Sequence, residues 1–497
     1  MADLKHQNLF SNITVIFLST MAMLSKHLLS TSTSTPTLLH LLPFSALLLV
    51  LPSSIQAFFF LHQWKPFFLF LFFCCSFLAF VVASKPPSVY LVDFSCFKPP
   101  RSCQVPLSRF IQHASAVESF DDQSVEFMAK IVASSGISEE TYLPPALLSF
   151  PPKTHQREYV KEAEMILFPL MDDLLSKAEL SPRDIDILVV NCSAFCPFPS
   201  LSSIIVNKYS MRSDVKSFNL SGMGCSAGAI GIDLAQNLLK TSKNSYAVVI
   251  STEILSSGWY SGREKSKLLL NCLFRMGGAA VLLTNRKEAS KWSKYRLITT
   301  LRTQTAFDDE AYLTAIREED DDGKLGVTVS KGLVQAAREI LSSHMAIHGS
   351  RILPMSEKLK HVLSIVGKKI KAKTGEIYMP SFKAAIQYFC LPTSGRALIS
   401  EIAKGLKLDG GDVEASLMTL HRFGNQSSCS MWYELAYMEA KQRVKKGEKV
   451  SMLGMGTGPK CCSCVWECIR PGAGASNNNP WSDCIHLYPI GALSSPP

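Results

Sequence analysis

Apolar and polar positions divide the chain into three regimes: an apolar N-terminal stretch, an alternating body and a polar tail. Residues 66–84, PFFLFLFFCCSFLAFVVAS, run uncharged between Lys65 and Lys85. At about 1.5 Å per residue this is enough for about 30 Å of hydrocarbon. Residues 38–61 are also uncharged and apolar, interrupted by Pro43 and Pro52, which membrane helices tolerate better than soluble ones. Together they predict a transmembrane helical hairpin within an anchor covering residues 1–84. A weaker stretch, 9–24, is broken by Ser11, Asn12, Thr14, Ser19 and Thr20. It reads either as a signal-like segment or as a third membrane segment. Lys5 and Lys26 precede the hairpin, and Lys85, Lys98 and Arg101 follow it. By the positive-inside rule both flanks lie on the cytosolic side.

Beyond Lys85 the pattern alternates between strand and helix. SVYLVDF (88–94), DIDILVVNCS (184–193), VKSFNL (215–220), SYAVVISTE (245–253) and GGAAVLLTN (277–285) read as strands. Several are continuous apolar runs of the kind buried on both faces of a sheet. Residues 157–178 carry apolar side chains at helical spacing with charges on the other face. The order then restarts: strands at 294–304, 387–395, 414–420 and 449–458, with helices around 329–345, 396–406 and 428–446. A βα alternation occurring twice predicts an α/β body of two similar halves. REEDDDG (317–323) reads as a solvated connector, and the tail from Pro471 as a flexible linker before a short apolar end.

Composition adds a few constraints. At 497 residues the chain needs more than one packed unit, and its 47% apolar and 19% charged residues are globular values. The net charge of +10 is scattered, and no nucleic-acid-binding motif accompanies it. Fifteen cysteines, an odd number without small-scaffold spacing, favour a reduced, cytosol-facing body over a disulfide framework. The cluster KCCSCVWEC (460–468) lacks the paired two-residue gaps of zinc sites, so buried or occasionally acylated thiols are expected there. Sequons at Asn191, Asn219 and Asn425 would never meet the glycosylation machinery if the body is cytosolic.

The chemistry concentrates in NLSGMGCSAGAIGIDLAQNLL (219–239). Gly222, Gly224, Ala227 and Gly228 permit a sharp turn and close backbone approach. Cys225 then opens a helix, where the macrodipole favours a thiolate and free amides can bind an oxyanion. On the residues alone, Cys225 is equally a nucleophile or a buried structural cysteine. In a second stretch, TLHRFGNQSS (419–428), His421 and Asn425 flank Gly424. Asn425 either donates to a substrate carbonyl or caps a turn. A third stretch, GMGTG (454–458), ends a strand with Gly454, Gly456 and Gly458. These suit either a ligand passing close to the backbone or tight packing, and their spacing is wrong for a dinucleotide fingerprint.

PPSVYLVDFSCFKPP, NLSGMGCSAG, NCLFRMGGAAVLLTN, LHRFGNQSS and NPWSDCIHLYP, in this order behind a membrane hairpin, resemble the plant 3-ketoacyl-CoA synthases. These are condensing enzymes of very-long-chain fatty-acid elongation with a thiolase-like fold. The likeness runs from about Pro86 to Ile490. It implies a first thiolase-like half over 85–290 and a second over 291–470, with 471–497 as the tail. It also implies acyl-CoA and malonyl-CoA as substrates, no cofactor or metal, and the endoplasmic reticulum membrane with the body facing the cytosol. A homo- or heterodimer with other condensing enzymes and elongase components is implied as well. Carried over residue by residue, Cys225 matches the acyl-accepting nucleophile, Asn425 the asparagine that steadies the malonyl thioester, and His421 a further histidine of that motif.

The sequence departs from the family at three positions. Where the family reads Glu-His-Phe-Cys-Ile-His-Ala-Gly-Gly-Arg, this chain reads QYFCLPTSGR (387–396). The decarboxylation histidine is replaced by Pro392 and the earlier histidine by Tyr388. A third family histidine, after Arg-Thr in the strand opening the second half, is Gln304. Proline has neither a side-chain donor nor an N–H, and losing one oxyanion donor costs roughly 10²–10³ in rate. Two readings follow: a condensing enzyme with altered residues, or a non-catalytic member that binds and modulates active condensing enzymes.

Overall fold

The computed structural model describes residues 72–76, 87–371, 378–472, 474 and 478–491. The chain divides into two compact units, Met1–Pro86 and Pro87–Pro497. In the first, residues 72–76 are helical. The remainder of the expected hairpin (38–61 and 66–84) and the stretch 9–24 lie outside the described residues. Among the described residues no helix is long and apolar enough to cross a membrane.

The second unit is built on a nine-stranded sheet. Its strands are β1 (Tyr90–Cys96), β2 (Ile187–Asn191), β3 (Lys216–Leu220), β4 (Tyr246–Thr252), β5 (Gly278–Thr284), β6 (Tyr295–Gln304), β9 (Tyr388–Cys390), β10 (Lys449–Gly456) and β11 (Lys460–Cys468). Between β6 and β9 in the chain, β7 (Ala315–Glu319) and β8 (Leu325–Val329) form a separate hairpin. The acidic loop is therefore part of a two-stranded ribbon whose turn is closed by Asp320 accepting from the Asp322 and Lys324 N–H groups. Helices of eight residues or more, in chain order, are α1 (Leu107–Ala116), α2 (Asp122–Ser135), α3 (Gln156–Ala178), α4 (Leu201–Lys208), α5 (Ala227–Thr241), α6 (Lys265–Leu273), α7 (Leu333–Ile352), α8 (Met355–Lys371), α9 (Arg396–Leu406), α10 (Gly410–Phe423) and α11 (Ser430–Ala440).

The sheet order is β3-β2-β4-β5-β1-β6-β11-β10-β9. Read outward from its middle, the first half runs first strand, last, fourth, second, third. The second half repeats that scheme as β6, β11, β10, β9. The two halves join where Tyr90 and Leu91 of β1 pair with Arg296 and Tyr295 of β6. β2, β4 and β5 are buried at every position, which is why they read as unbroken apolar runs.

Among the described residues of the second half no strand corresponds to β3. Residues 414–420 belong to helix α10, not to a strand. α10 is buried on almost every side from Val413 to Phe423. It therefore lacks the polar stripe by which a helix is told from a buried strand. KCCSCVWEC forms β11, where the pleat sends adjacent Cys461 and Cys462 to opposite faces. Every cysteine in the chain is a free thiol.

Two central helices carry the site. α5 packs on β2 and β4 of the first half and on β10 and β11 of the second. α11 is buried from Ser430 to Glu439 and packs on β1, β9 and β10. Each is entered through a 3₁₀ turn, Gly224–Ser226 before α5 and Ser427–Cys429 before α11, and the two turns touch. Just beyond the first turn, at Gly228, an added Cβ would overlap the Ser428 carbonyl oxygen.

Candidate active site

β3 delivers the chain to Gly222 and Gly224, whose φ angles of 68° and 58° lie in the left-handed region that favours glycine. Their turn lifts Cys225 to the head of α5. β10 backs this turn. Gly454 lies against the Cys225 carbonyl and Ser226, and a Cβ at Gly456 would overlap the Met223 carbonyl oxygen. Of the three glycines of GMGTG, Gly454 lines the cavity in front of Cys225; Gly456 and Gly458 are not among its lining residues. At Gly456 the glycine provides clearance for the nucleophile turn.

The cavity has a volume of about 10 Å³, room for the centre of a single water. Cys225, Asn425, Ser427, Pro392 and Gly454 all face it. Asn425 is held on both sides of its peptide unit. Its carbonyl accepts from the Arg275 N–H at 2.8 Å, and its own N–H donates to the Leu273 carbonyl at 3.2 Å. Its side-chain oxygen accepts from the Ser427 N–H at 2.9 Å, which leaves the NH₂ as the polar group it can offer to the cavity.

Ser427 adopts φ 57°, an uncommon left-handed value for a non-glycine residue. That conformation brings its hydroxyl to 3.5 Å from the Cys225 sulfur and 3.3 Å from Glu253 Oε2. Glu253, just beyond β4, is buried and also accepts from the Ala194 N–H at 2.8 Å and the Ser193 N–H at 3.3 Å. Burial raises its carboxyl above the ordinary range, against the pull of these hydrogen bonds. The one Ser427 hydroxyl proton is within donating reach of both the Cys225 sulfur and the Glu253 carboxylate, so the three side chains form a continuous chain of polar contacts.

Cys225 carries only a partly covered surface, yet protein encloses the sulfur. Burial pushes its thiol up to about 11; the Ser427 hydrogen bond opposes this and the Glu253 charge adds to it. The depressed value expected at a helix N-terminus is therefore overridden by desolvation. Among the described residues no histidine lines the cavity. Where the family pattern carries an imidazole stands the Pro392 ring, fixed after β9 by the Leu391 N–H donating to Glu434 at 2.9 Å and to Ser416 at 3.1 Å.

The other departures lie elsewhere. The Tyr388 hydroxyl donates to the Arg443 carbonyl at 2.7 Å. Gln304 ends β6 at an exposed position in register with Lys460. Neither lines the cavity, so of the three substitutions only Pro392 alters the wall facing Cys225. His421 is not brought to Cys225 either. It occupies the last turn of α10, its Nδ1 lies 3.1 Å from the Tyr488 hydroxyl, and it is not a lining residue. Gly424 ends the helix with φ 72° and turns the chain between His421 and Asn425. Residues four apart on a continuous helix share a face; these two are separated by that turn.

Ser427 and Glu253 escaped the sequence reading. The signal for Glu253 was a lone acid closing the apolar strand SYAVVISTE, at the carboxyl end of a strand where open α/β sheets place their sites. Ser427 gave no signal beyond its place after Asn425.

A cysteine turn and an asparagine turn thus face each other across the seam of a two-half α/β sheet. The fold is found in solved structures. PKS-I from the brown alga Ectocarpus siliculosus matches with a TM-score of 0.61 at 17% identity, covering 78% of this chain and 99% of that one. Residues 81–370 match the family described as FAE1/Type III polyketide synthase-like protein, and residues 382–468 the 3-oxoacyl-[acyl-carrier-protein] synthase III C-terminal family. Arabidopsis thaliana 3-ketoacyl-CoA synthase 5 is 47% identical over 422 residues, spanning 84% of this chain and 86% of the relative. The A. thaliana 3-ketoacyl-CoA synthase 6 is 46% identical over the same length, spanning 84% and 85%. The chain belongs to the plant 3-ketoacyl-CoA synthase family.

Proposed function

We propose that this protein condenses acyl-CoA with malonyl-CoA to give a 3-ketoacyl-CoA two carbons longer, with release of CO₂ and CoA. The observation that carries the reading is one cavity holding both Cys225 and Asn425, within a chain 46–47% identical to 3-ketoacyl-CoA synthases. In the first step the Cys225 sulfur attacks the acyl thioester, a C–S bond forms, and CoA leaves as its thiol. In the second, malonyl-CoA loses CO₂. The Asn425 NH₂ donates to the thioester oxygen on which the enolate charge develops. The enolate carbon then attacks the acyl carbonyl, and the Cys225 sulfur leaves and is reprotonated.

Without a facing imidazole, the thiol proton needs another route. Ser427 and Glu253 supply one: the thiol donates to the Ser427 oxygen as the Ser427 hydroxyl donates to the Glu253 carboxylate. This serves the acylation step. It does not replace the oxyanion donor missing at Pro392, so decarboxylative condensation is the slow step.

The reading places the protein in the endoplasmic reticulum membrane. The uncharged runs 38–61 and 66–84 supply a hairpin and the flanking cations hold the body in the cytosol. The body comprises halves over 85–290 and 291–470 with a tail from 471, and works as a homo- or heterodimer with other elongase components. The test is release of labelled CO₂ from malonyl-CoA by the purified full chain supplied with acyl-CoA. Release above a Cys225→Ala control is expected. No Cys225-dependent release would overturn the reading and leave a non-catalytic member that binds active condensing enzymes.

A further inference from the structure

Helix α8, Met355–Lys371, is turned the wrong way round for a soluble protein. Met355, Leu359, Val362, Leu363 and Val366 are each between 43% and 59% exposed. Their spacing, i, i+4, i+7, i+8, i+11, puts them on one face of the helix. The opposite face is polar and points inward. Glu357 is buried, accepting from the Tyr378 hydroxyl at 2.6 Å and the Ser381 N–H at 3.1 Å. His361 Nδ1 donates to the Tyr378 carbonyl at 2.6 Å, and the Tyr378 N–H donates to Ser364 Oγ at 3.1 Å. Polar side chains thus fasten the helix to the segment Tyr378–Ser381 and leave its apolar face outward. A surface helix normally buries its apolar stripe, and a contiguous exposed stripe marks an interaction site.

The charges on the same helix indicate what covers it. Its sequence, MSEKLKHVLSIVGKKIK, holds five lysines against one glutamate. By helical spacing, position 358 falls on one edge of the apolar stripe and position 360, whose ammonium also pairs with Glu357 at 2.8 Å, on the other. An apolar stripe bordered on both edges by lysines is the pattern of a helix lying in a lipid interface, with aliphatic side chains among acyl chains and ammonium groups at the headgroups. A protein partner would need no such double cationic border.

We propose that α8 lies on the surface of an anionic phospholipid bilayer and gives the body a second point of membrane attachment. The inference rests on the residues of α8 and is separate from the hairpin reading, since a chain held by its N-terminus can still leave α8 in water.

The test uses the full chain reconstituted in vesicles of phosphatidylcholine with or without phosphatidylserine. A photo-reactive benzoylphenylalanine replaces Leu363, or Lys240 as an exposed control on α5. Both positions are exposed, so neither change disturbs packing. On irradiation the Leu363 variant is expected to give roughly fivefold more lipid adduct than the control, and to lose most of it without the anionic lipid or in high salt. Flotation with the vesicles but no excess adduct at Leu363 overturns the proposal and leaves the hairpin reading standing. An adduct to protein overturns it in favour of a second copy or another chain. Failure to float even with phosphatidylserine overturns both readings.

Discussion

The Ser427 hydroxyl stands between Cys225 and Glu253, 3.5 Å from the sulfur and 3.3 Å from the carboxylate. The thiol is pushed up to about 11, so at pH 8 only about one molecule in a thousand carries a thiolate. Acylation then depends on removing the proton during attack, and the two roles of Glu253 can be separated. Glu253→Gln removes a nearby negative charge, so the thiol titrates lower and iodoacetamide alkylation at pH 8 quickens. The same change removes the proton acceptor, so acylation by acyl-CoA slows by about 10²-fold. Ser427→Ala slows acylation while leaving the charge in place. If Glu253→Gln speeds both reactions, the carboxylate acts only through its charge and the relay is wrong.

Pro392 is the single departure on the cavity wall, so restoring an imidazole there matters more than at the other two positions. Pro392→His is expected to raise Cys225-dependent CO₂ release by about 10²–10³-fold and to lower the pH at which the thiol alkylates. The new ring occupies a space that now admits about one water. Tyr388→His and Gln304→His, away from the cavity, should change the rate less than about twofold. Comparable gains from all three would refute the assignment of the lesion to one wall.

Gly228 sets the clearance between the two turns. Gly228→Ala would press a methyl into the Ser428 carbonyl oxygen, a backbone atom that cannot swing aside. A loss of about 3 kcal/mol is expected, read as a lower urea midpoint for the full chain in detergent. Gly405, where an added Cβ meets nothing within 4 Å, is the control: Gly405→Ala in α9 should be neutral or slightly stabilising.

His344 and His348 predict the pH behaviour of the fold. Both are buried on α7, with His344 between the hydroxyls of Thr303 and Ser463 at 2.9 Å each, and the rings stacked at 5.8 Å. Desolvation, with neighbouring positive charge, lowers His344 to about 3 and His348 to about 4. The unfolded chain binds these protons near pH 6.5, so it holds more protons than the native state between about pH 6.5 and 4. Stability therefore rises with pH across that window and is full above it. Unfolding midpoints should fall on acidification from pH 6.5 to 4, and His348→Phe, beside Phe382, should flatten the slope. An unchanged slope in that variant would exclude His348 as a contributor.

The legible parts of this chain were those whose cause is local. β2, β4 and β5 announced themselves because burial on both faces demands unbroken apolar runs. Cys225 was visible because its turn needs glycine at 222 and 224. Residues 414–420 of α10 read as a strand for the same reason that β2 does: burial on nearly all sides erases the period that separates helix from strand. His421 and Asn425 looked like one motif until Gly424 turned the chain between them. Ser427 and Glu253 meet across 174 residues, a contact fixed by the seam between halves and by no local pattern.

That seam has a consequence for synthesis. The nucleophile turn is complete once residue 226 has left the ribosome, but the strand behind it spans Lys449–Gly456 and the partner of β6 spans Lys460–Cys468. Until those last strands emerge, β6 has one flank without a partner and Cys225 has no wall behind it. The reactive thiol therefore gains its environment only when translation of the body is nearly finished. A chain stopped short of Cys468 would carry the nucleophile without the site that governs it.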